Sequence, residues 1–501
     1  MSVNRLAKIY TRAGVGLQAP RVSVEVHLSR GLPSFSMVGL AEGAVKESKD
    51  RVRSAILNSN FEFPRGRITV SLAPANLPKT GARYDLPIAL GLLMASEQLS
   101  PVLEIQQLEF YAELALDGSL CAVDGLLPAV LATQQDQHIP VLSIEDVEQC
   151  GLCTDLNYYS ASSLLEVCAL LQSSNPPKRM QSLSGSIPSY ALDLSQVKGQ
   201  HQAKRALEIA AAGAHNLLLV GAPGSGKSML AQRLPSIMPP LSIEQALDRA
   251  SIYSIAQQRL SADEQLLRAF RAPHHSASSA AMIGGGSTPK PGEISLAHHG
   301  VLFLDELAEF SRSVLEALRQ PLETTQVCIS RAAQQLSFPA DFQLIGAMNP
   351  CPCGYYGDGS DKCHCSEDQV QRYQAKISGP LLERIDMVLH IMPVKKSALL
   401  DNQQMIESSD KVRKRVLGAY NRQLERQGKT NDKLDVSELE KIVVLSANNK
   451  MWLAQVIEQL SLSARSYHRI LKVARTIADL AGSDTVEQQH LIEAASYRRL
   501  I

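Results

Sequence analysis

The chain has 501 residues, of which 45% are hydrophobic, 20% charged and 5% aromatic, and its 50 acidic and 50 basic side chains give a formal net charge of zero. This length predicts about three domains of roughly 150 residues, each with enough apolar residues for a core. The neutral balance excludes nucleic-acid binding through overall positive charge, so any such surface must be local, and the few aromatics argue against rows of base-stacking rings.

The N-terminal third has the pattern of an α+β domain, predicted over residues 1–172. Three runs rich in apolar residues are predicted strands: Val22–Leu28, Arg67–Leu72 and Leu108–Leu116. Two segments are predicted helices: Lys46–Asn58, with Val52, Ile56 and Leu57 facing inward, and Leu86–Ala95. Residues 173–190, rich in serine and proline, are the predicted linker to the next domain.

Residues 191–394 change to strands that alternate with helices, which predicts an α/β domain with a parallel sheet. The predicted strands are Asn216–Val220, Gly300–Leu304, Phe342–Met348 and Met387–Ile391. Residues 395–501 are predicted to form a small helical lid that includes the amphipathic helix Ala464–Ala481. Because we find neither an N-terminal signal pattern nor an apolar run of about 18 residues, we expect a cytoplasmic protein without a membrane segment.

A glycine-rich loop follows the first of these strands and leads into a helix, as a phosphate-binding P-loop requires. The run Gly221-Ala-Pro-Gly-Ser-Gly-Lys-Ser228 fits the pattern G-x-x-x-x-G-K-[ST]. Its backbone N–H groups can surround phosphate oxygens, Lys227 can reach the β- and γ-phosphates, and the Ser228 hydroxyl can ligate Mg²⁺. The predicted nucleotide-binding residues are Gly221, Ala222, Pro223, Gly224, Ser225, Gly226, Lys227, Ser228 and Asp305.

Two acids end the next predicted strand, in the run Val301-Leu-Phe-Leu-Asp305-Glu306. The carboxyl end of a buried strand lies beside the P-loop in open α/β sheets, so Asp305 is predicted to hold Mg²⁺ through water. Glu306 is the predicted general base that polarises the attacking water. The alternative is a pair of solvated acids at a strand end.

Three polar residues further on are candidates for sensing or stabilising the γ-phosphate. Asn349 ends a strand and can orient the attacking water, or it caps a loop. Arg384 precedes a strand and, since folding needs no local acid partner for it, can reach a neighbouring subunit's γ-phosphate, or it forms a surface ion pair. Arg465, at the start of the long C-terminal helix, is a second candidate of this kind.

Four of the nine cysteines lie within 15 residues, as Cys351-x-Cys353 and Cys363-x-Cys365. In a reducing cytosol this clustering favours metal binding over disulfides, and four thiolates suit a tetrahedral Zn²⁺ site. The C-x-C spacing is tighter than usual, His364 competes as a ligand, and free thiols on a loop are the alternative. Cys150 and Cys153 form a C-x-x-C without a second pair nearby, and we interpret them as structural.

The chain resembles, over essentially its whole length, the YifB/ComM family of magnesium-chelatase-like AAA+ ATPases. The Walker motifs alone are unspecific, whereas the combination of Phe270-Arg-Ala-Pro-His-His-Ser276 with Asn349-Pro-Cys-Pro-Cys-Gly354 is highly specific. Further matching segments are Asn76–Leu90, Pro291–Ala297, Val301–Glu309 and Ser378–Asp386.

This resemblance implies an AAA+ core that works as a ring hexamer with ATP between subunits. Asn349 resembles sensor 1, Arg384 the arginine finger and Arg465 sensor 2, with Arg469 as the alternative for sensor 2. ComM proteins carry out ATP-driven DNA branch migration in natural transformation. Expected partners are therefore single-stranded and branched DNA, other copies of the chain, and recombination proteins.

The N-terminal domain resembles the Lon-protease domain, which has a ribosomal-S5-domain-2-like fold and a Ser–Lys dyad. Arg83 stands where the serine belongs and Leu127 where the lysine belongs. Because a chain without the nucleophile and its base has no covalent route, we expect a noncatalytic DNA-binding or assembly module.

Two loops are expected to point into the pore of the ring and contact DNA. One carries Lys290 on a glycine-rich tip, and the other carries Arg331 on a hairpin before Asn349. One basic residue per subunit would give the pore a positive charge even though the net charge of the chain is zero. Alternatively, each loop only packs on its neighbour. His274 and His275 are expected at a subunit interface or near the nucleotide.

Three functions compete on this basis. A DNA translocase of the branch-migration type is the main hypothesis. A magnesium-chelatase-like motor that remodels a protein partner is the alternative. An ATP-dependent protease is a third, and Arg83 and Leu127 argue against it.

Overall fold

The computed structural model describes residues 6–39, 43–180, 189–286, 289–330, 335–359, 361–393, 407–459 and 462–498. The chain divides into two units, the first comprising Met1–Ser186, Ser242–Leu266 and Ser330–Phe338 and the second Ile187–Leu241, Leu267–Ile329 and Pro339–Ile501. The predicted boundaries at residues 172 and 190 therefore differ from the observed division. Two segments predicted within the ATPase domain belong to the first unit, because residues such as Ala250 pack in its core beside Leu126.

The strands and helices are numbered here in chain order. The strands are β1 (Leu6–Arg12), β2 (Arg21–Ser29), β3 (Ser34–Val38), β4 (Arg67–Ala73), β5 (Leu108–Tyr111), β6 (Glu113–Leu114), β7 (Leu120–Cys121), β8 (Ile139–Ser143), β9 (Asn157–Ala161), β10 (Lys178–Arg179), β11 (Leu217–Gly221), β12 (Phe270–Arg271), β13 (Gly284–Gly285), β14 (Lys290–Pro291), β15 (Val301–Leu304), β16 (Gln326–Ser330), β17 (Gln335–Pro339), β18 (Gln343–Met348) and β19 (Met387–Ile391). The helices are α1 (Gly43–Asn58), α2 (Asp85–Ala95), α3 (Leu126–Gln135), α4 (Leu164–Leu171), α5 (His201–Gly213), α6 (Lys227–Gln232), α7 (Leu234–Ile237), α8 (Ile243–Ile255), α9 (Ala262–Gln265), α10 (Ser279–Ile283), α11 (Glu293–Leu296), α12 (Arg312–Ala317), α13 (Pro321–Thr324), α14 (Glu367–Gln374), α15 (Gly379–Leu382), α16 (Ser409–Gln427), α17 (Val436–Ile442), α18 (Ala447–Gln459), α19 (Ala464–Ala481) and α20 (Gln488–Ser496).

The first unit contains two four-stranded sheets, in the orders β1-β2-β4-β3 and β10-β9-β8-β5. Helix α1 buries Val52 and Ile56 as predicted, but Leu57 is 47% exposed. The prediction for Leu57 was wrong because the buried face of the helix runs through Val52 and Ile56, which are four residues apart, and Leu57 lies beside it. Val45 and Ala55 complete that buried face instead. The predicted strand Leu108–Leu116 is interrupted at Ala112, and part of the predicted linker forms β10.

The positions matched to a Ser–Lys dyad lie side by side in the first unit. Arg83 is buried and donates hydrogen bonds to the carbonyl oxygens of Asp124 and Gly125. Leu127 is also buried, among apolar side chains that include Val130. Neither side chain supplies a nucleophile or a base, as the sequence implies.

The second unit is organised by a parallel five-stranded sheet in the order β12-β15-β18-β11-β19. Every residue of β11, β15 and β18 is buried, which explains why these segments appear in the sequence as continuous apolar runs. The four predicted strands are present, and the short edge strand β12 was not predicted.

The C-terminal region is helical, from α16 to α20. Helix α19 has the predicted bounds, and every residue from Val473 to Asp479 is buried, so that part of the helix is enclosed on all sides. Among the described residues, no helix is both long enough and apolar enough to cross a membrane.

Candidate nucleotide site

The carboxyl ends of β11, β15 and β18 meet at one edge of the parallel sheet. β11 leads into the glycine-rich loop, β15 into Asp305 and Glu306, and β18 into Asn349. The ladder fixes this arrangement, because Leu304 pairs with Gly346 and Val220 with Met348. The edge bounds a cavity of about 430 Å³. Its lining residues are Pro223, Gly224, Ser225, Gly226, Lys227, Ser228, Met229, Asp305, Glu306, Met348 and Asn349.

The loop itself has the backbone that phosphate binding needs. Gly224 and Gly226 adopt φ values of +74° and +93°, which glycine accepts without strain. Gly221 is required for a different reason from these two glycines, since a Cβ there would lie 2.6 Å from the carbonyl oxygen of Ile391 on β19. Helix α6 begins at Lys227, so its N-terminal N–H groups face the cavity from the loop side.

Three oxygen atoms accept hydrogen bonds from the side chain of Lys227. Its Nζ donates to the carbonyl oxygens of Gly221 at 2.6 Å and Ala222 at 3.0 Å, and to Oδ1 of Asn349 at 3.2 Å. Burial lowers the pKa of Lys227, and the carboxylates of Asp305 and Glu306 oppose that shift. An ammonium group paired with neutral oxygens can exchange them for phosphate oxygens, which carry more charge.

A hydroxyl and a carboxylate converge at the base of the cavity, where Oγ of Ser228 donates to Oδ2 of Asp305 at 2.6 Å. Both are hard oxygen ligands of the kind that Mg²⁺ prefers. The donor set therefore fits the predicted ion, with Ser228 and Asp305 as its protein ligands. Magnesium bound there with a nucleotide neutralises charge on the phosphate oxygens.

Glu306 has a constrained backbone and an exposed carboxylate. Its φ of +52° lies in the left-handed region, which a residue other than glycine adopts at a cost of order 1 kcal/mol. Oε2 of Glu306 lies 3.1 Å from Nδ1 of His275. His275 therefore lies beside the predicted base, and its expected place near the nucleotide stays a prediction. The sequence did not indicate that it pairs with the predicted base.

The position of His275 follows from the unpredicted strand β12. Because β12 runs parallel to β15, both strands end towards the same edge of the sheet. The segment after Arg271 therefore begins on the side where Asp305 and Glu306 follow β15. Recognising Phe270–Arg271 as a strand would have predicted this neighbour. The adjacent His274 instead bonds Oγ of Ser276 at 2.7 Å, with its ring 4.1 Å from that of His275.

The three candidate arginines do not line the cavity formed by the described residues of this chain. Arg384 is buried, donates to the carbonyl oxygen of Pro380 at 2.6 Å, and pairs with the carboxylate of Glu323. Arg384 therefore forms an ion pair within its own chain, as in the alternative, although its side chain is buried rather than at the surface. Arg465 is exposed and pairs with Glu383 at 2.8 Å.

Arg469, one turn further along α19, pairs with Asp386. Asp386 is fully buried and also accepts the backbone N–H of Asn216 at 2.9 Å, just before β11. The neighbouring Arg469 and His215 hold the pKa of Asp386 below its usual range although burial opposes them. Arg469 thus ties the C-terminal helices to the sheet.

The two predicted DNA-contacting loops both contain short antiparallel strand pairs. Lys290 is exposed on β14, which pairs with β13. Gly284 is required there, since a Cβ would lie 2.2 Å from the carbonyl oxygen of Lys290. β16 and β17 pair in the second loop, and Arg331, which follows β16 in the sequence, lies outside the described residues.

The four predicted metal-binding cysteines come together in space. Their sulfur atoms all lie within 4.8 Å of one another, and His364 is not part of this group. The Sγ–Sγ distances are 3.3 Å for Cys351–Cys353, 3.6 Å for Cys353–Cys363 and 3.9 Å for Cys351–Cys363. Cys150 and Cys153, interpreted as structural, are buried in the first unit.

Comparison with known proteins gives three family matches that follow one another along the chain. Residues 193–399 match "Magnesium chelatase, subunit ChlI", residues 24–143 match "Subunit ChlI of Mg-chelatase", and residues 406–498 match "Magnesium chelatase, subunit ChlI C-terminal". The chain is similar to the competence protein ComM of Haemophilus influenzae, at 47% identity over 99% of this chain and 98% of the relative. It is also similar to the YifB proteins of Salmonella typhimurium and Escherichia coli, at 47% and 46% identity, with 99% of this chain and 97% of each relative covered.

Two substitutions separate nucleotide binding from hydrolysis at this site. Lys227→Ala should abolish ATP binding, because it removes the ammonium group that faces the phosphates. Glu306→Gln should keep binding but slow hydrolysis by about 100-fold or more, the contribution of a general base. Nucleotide affinity and single-turnover rates check both, with Glu309→Gln as a control, since Glu309 instead pairs with Lys376 at the surface. Near-normal turnover by Glu306→Gln would rule out this base.

Proposed function

Because this chain belongs to the YifB/ComM family of magnesium-chelatase-like AAA+ ATPases, we propose that it is a hexameric, ATP-driven DNA translocase that promotes branch migration of recombination intermediates. The observation that carries the proposal is full-length similarity to a protein named for competence, together with a complete P-loop site in the same chain. Competence is the ability to take up DNA, and natural transformation is the setting in which we place the activity.

In the proposed mechanism, ATP hydrolysis supplies the energy and residues of this chain position the reacting groups. Lys227 and the loop N–H groups bind the phosphates, and Ser228 and Asp305 hold Mg²⁺. Glu306 accepts a proton from the attacking water, and Asn349 orients that water. Release of Glu306 from His275, 3.1 Å away, frees its carboxylate for this role.

A ring is proposed because the family resemblance implies one and because the site, among the described residues, lacks an arginine from its own chain. Arg384, Arg465 and Arg469 do not line the cavity formed by the described residues of their own chain. An arginine that stabilises the charge developing on the γ-phosphate is commonly supplied by a second subunit. For Arg384 this requires exchange of its pairing with Glu323 for the phosphate.

The two hairpins are proposed to contact DNA inside the pore of the ring. Lys290 is exposed beside a glycine-rich turn, and Arg331 follows β16 in the sequence, outside the described residues. Contacts of this kind reach the phosphate backbone and carry no sequence information. Single-stranded and branched DNA are the proposed substrates, and recombination proteins the proposed partners.

The four cysteines are proposed to hold a zinc ion. Four sulfurs at about 2.3 Å from one Zn²⁺ lie about 3.8 Å apart in a tetrahedron, and the three measured separations of 3.3 to 3.9 Å bracket that value. A disulfide needs a sulfur–sulfur separation of about 2.05 Å, which is shorter than all three of these distances.

The first unit is proposed to be a noncatalytic DNA-binding or assembly module.

A motor that remodels a protein partner is the alternative function. It is favoured by the family match to a magnesium chelatase subunit, an assembly whose name describes metal insertion rather than DNA movement. Both functions use the same ATP site, so only the molecule that stimulates hydrolysis separates them.

The DNA proposal predicts ATPase stimulation that depends on salt and on the hairpins. Forked and single-stranded DNA should raise the hydrolysis rate, whatever their sequence, and lose this effect as salt increases. Lys290→Ala and Arg331→Ala should each lower DNA affinity about tenfold or more, since a ring loses the contact from every subunit, and leave nucleotide affinity unchanged. Lys441→Ala, at an exposed position on α17 in the second unit, is the control. Hydrolysis that DNA does not change would favour the protein-remodelling function.

Mixing variants tests whether Arg384 acts on a neighbouring subunit. Arg384→Ala should be inactive alone, and adding Glu306→Gln protein should restore part of the activity, because mixed interfaces combine an intact base with an intact arginine. Glu323→Gln removes only the partner that holds Arg384 within its own chain. It should preserve turnover. Equal loss of activity and of thermal stability in Arg384→Ala and Glu323→Gln, without restoration on mixing, would instead identify a structural ion pair.

A further inference from the structure

The cysteine loop begins at the end of the strand that carries Asn349. β18 ends at Met348, and a single residue, Pro350, separates Asn349 from Cys351. Cys351 is fully buried, and the carbonyl oxygen of Pro350 accepts a hydrogen bond of 3.1 Å from Gln374 on α14. The first sulfur of the group is therefore attached rigidly to the residue predicted to orient the attacking water.

The same loop also touches the phosphate-binding loop. Gly354 lies so close to Pro223 that a Cβ on it would be 2.6 Å from Cδ and 2.8 Å from Cγ of the proline ring. The same Cβ would lie 3.8 Å from Cγ of Asn349. Pro223 and Asn349 both line the nucleotide cavity. One glycine of the cysteine loop thus packs between two parts of the site.

Three glycines lie in the segment from Cys351 to Cys365. Gly354, Gly357 and Gly359 all adopt positive φ, between +73° and +89°, a backbone region that glycine adopts without strain. The four sulfurs at its two ends converge on one small volume. A metal ion that bridges them would order the segment, since metal binding at such sites supplies folding free energy.

We infer that zinc bound by Cys351, Cys353, Cys363 and Cys365 positions the ATP site, by holding Gly354 against Pro223 and fixing the strand end at Asn349. This inference rests on the proposed zinc ion but is independent of the DNA function. The cysteines are positioning residues, because they reach the nucleotide only through Asn349 and Pro223. Loss of the metal releases both contacts at once, so hydrolysis suffers more than nucleotide binding, which the rest of the P-loop maintains.

The first experiment removes the metal and follows both steps of the reaction. Wild-type full-length protein purified without chelator should hold about one zinc per chain. Cys363→Ser with Cys365→Ser should lose it and lower the single-turnover hydrolysis rate about tenfold or more, the usual cost of disturbing residues that support a site, with a smaller change in nucleotide affinity. Cys121→Ser, at a free cysteine outside the group, is the control and should change neither.

The second experiment keeps the metal and breaks only the contact. Gly354→Ala forces a methyl group into the ring of Pro223. Gly357 also has a positive φ, but a Cβ there has nothing within 4 Å, so Gly357→Ala is the matched control. Both variants should retain zinc, and Gly354→Ala alone should hydrolyse ATP about tenfold more slowly. Adding Pro223→Ala to Gly354→Ala removes the ring atoms and should restore part of the rate.

The possible failures are distinguishable. Wild-type protein without zinc overturns the metal site and the inference with it. Zinc-bound wild type with equal hydrolysis rates in Gly354→Ala and Gly357→Ala overturns the positioning role alone. Neither result bears on DNA stimulation, which the wild-type protein tests separately.

Discussion

Burial of three neighbouring parallel strands is the constraint on which the rest of this site depends. Each residue of β11, β15 and β18 is buried, and their ladders leave no freedom of register, so the three strands end at one edge. The hydrogen bonds from Ser228 to Asp305 and from Lys227 to Asn349 join residues more than 70 positions apart. They form because the sheet, rather than the loops, sets the spacing of the catalytic groups.

The sequence predicted those parts of the site that a local pattern specifies. A long apolar run followed by Gly221–Ser228 or by Asp305 and Glu306 identifies both the strand and its functional end, and the structure brings these residues together. The strand β12 escaped prediction because two residues, Phe270 and Arg271, form no recognisable run. Its omission concealed the pairing of His275 with Glu306, which depends on tertiary placement.

Contacts between distant segments were beyond the sequence for the same reason. Nothing near Arg384 in the sequence indicates Glu323, 61 positions earlier, so the sequence offered an ion pair as an alternative without identifying its partner. The approach of Gly354 to Pro223 likewise joins two loops whose separate patterns were both recognised. The cysteine spacing predicted the cluster itself, since C-x-C pairs are local, but not its position against the ATP site. The assignment of helix Ile243–Ile255 to the first unit also depends on packing alone.

We propose that this chain converts ATP hydrolysis at the edge of the parallel sheet into movement along DNA. The most direct test follows a labelled three-strand junction with purified full-length protein, and compares ATP with a non-hydrolysable analogue and with the Glu306→Gln variant. Junction movement is expected only with wild-type protein and ATP, while the analogue and the variant bind DNA without moving it. Active, DNA-stimulated hydrolysis that leaves the junction in place, or movement by Glu306→Gln, would contradict it.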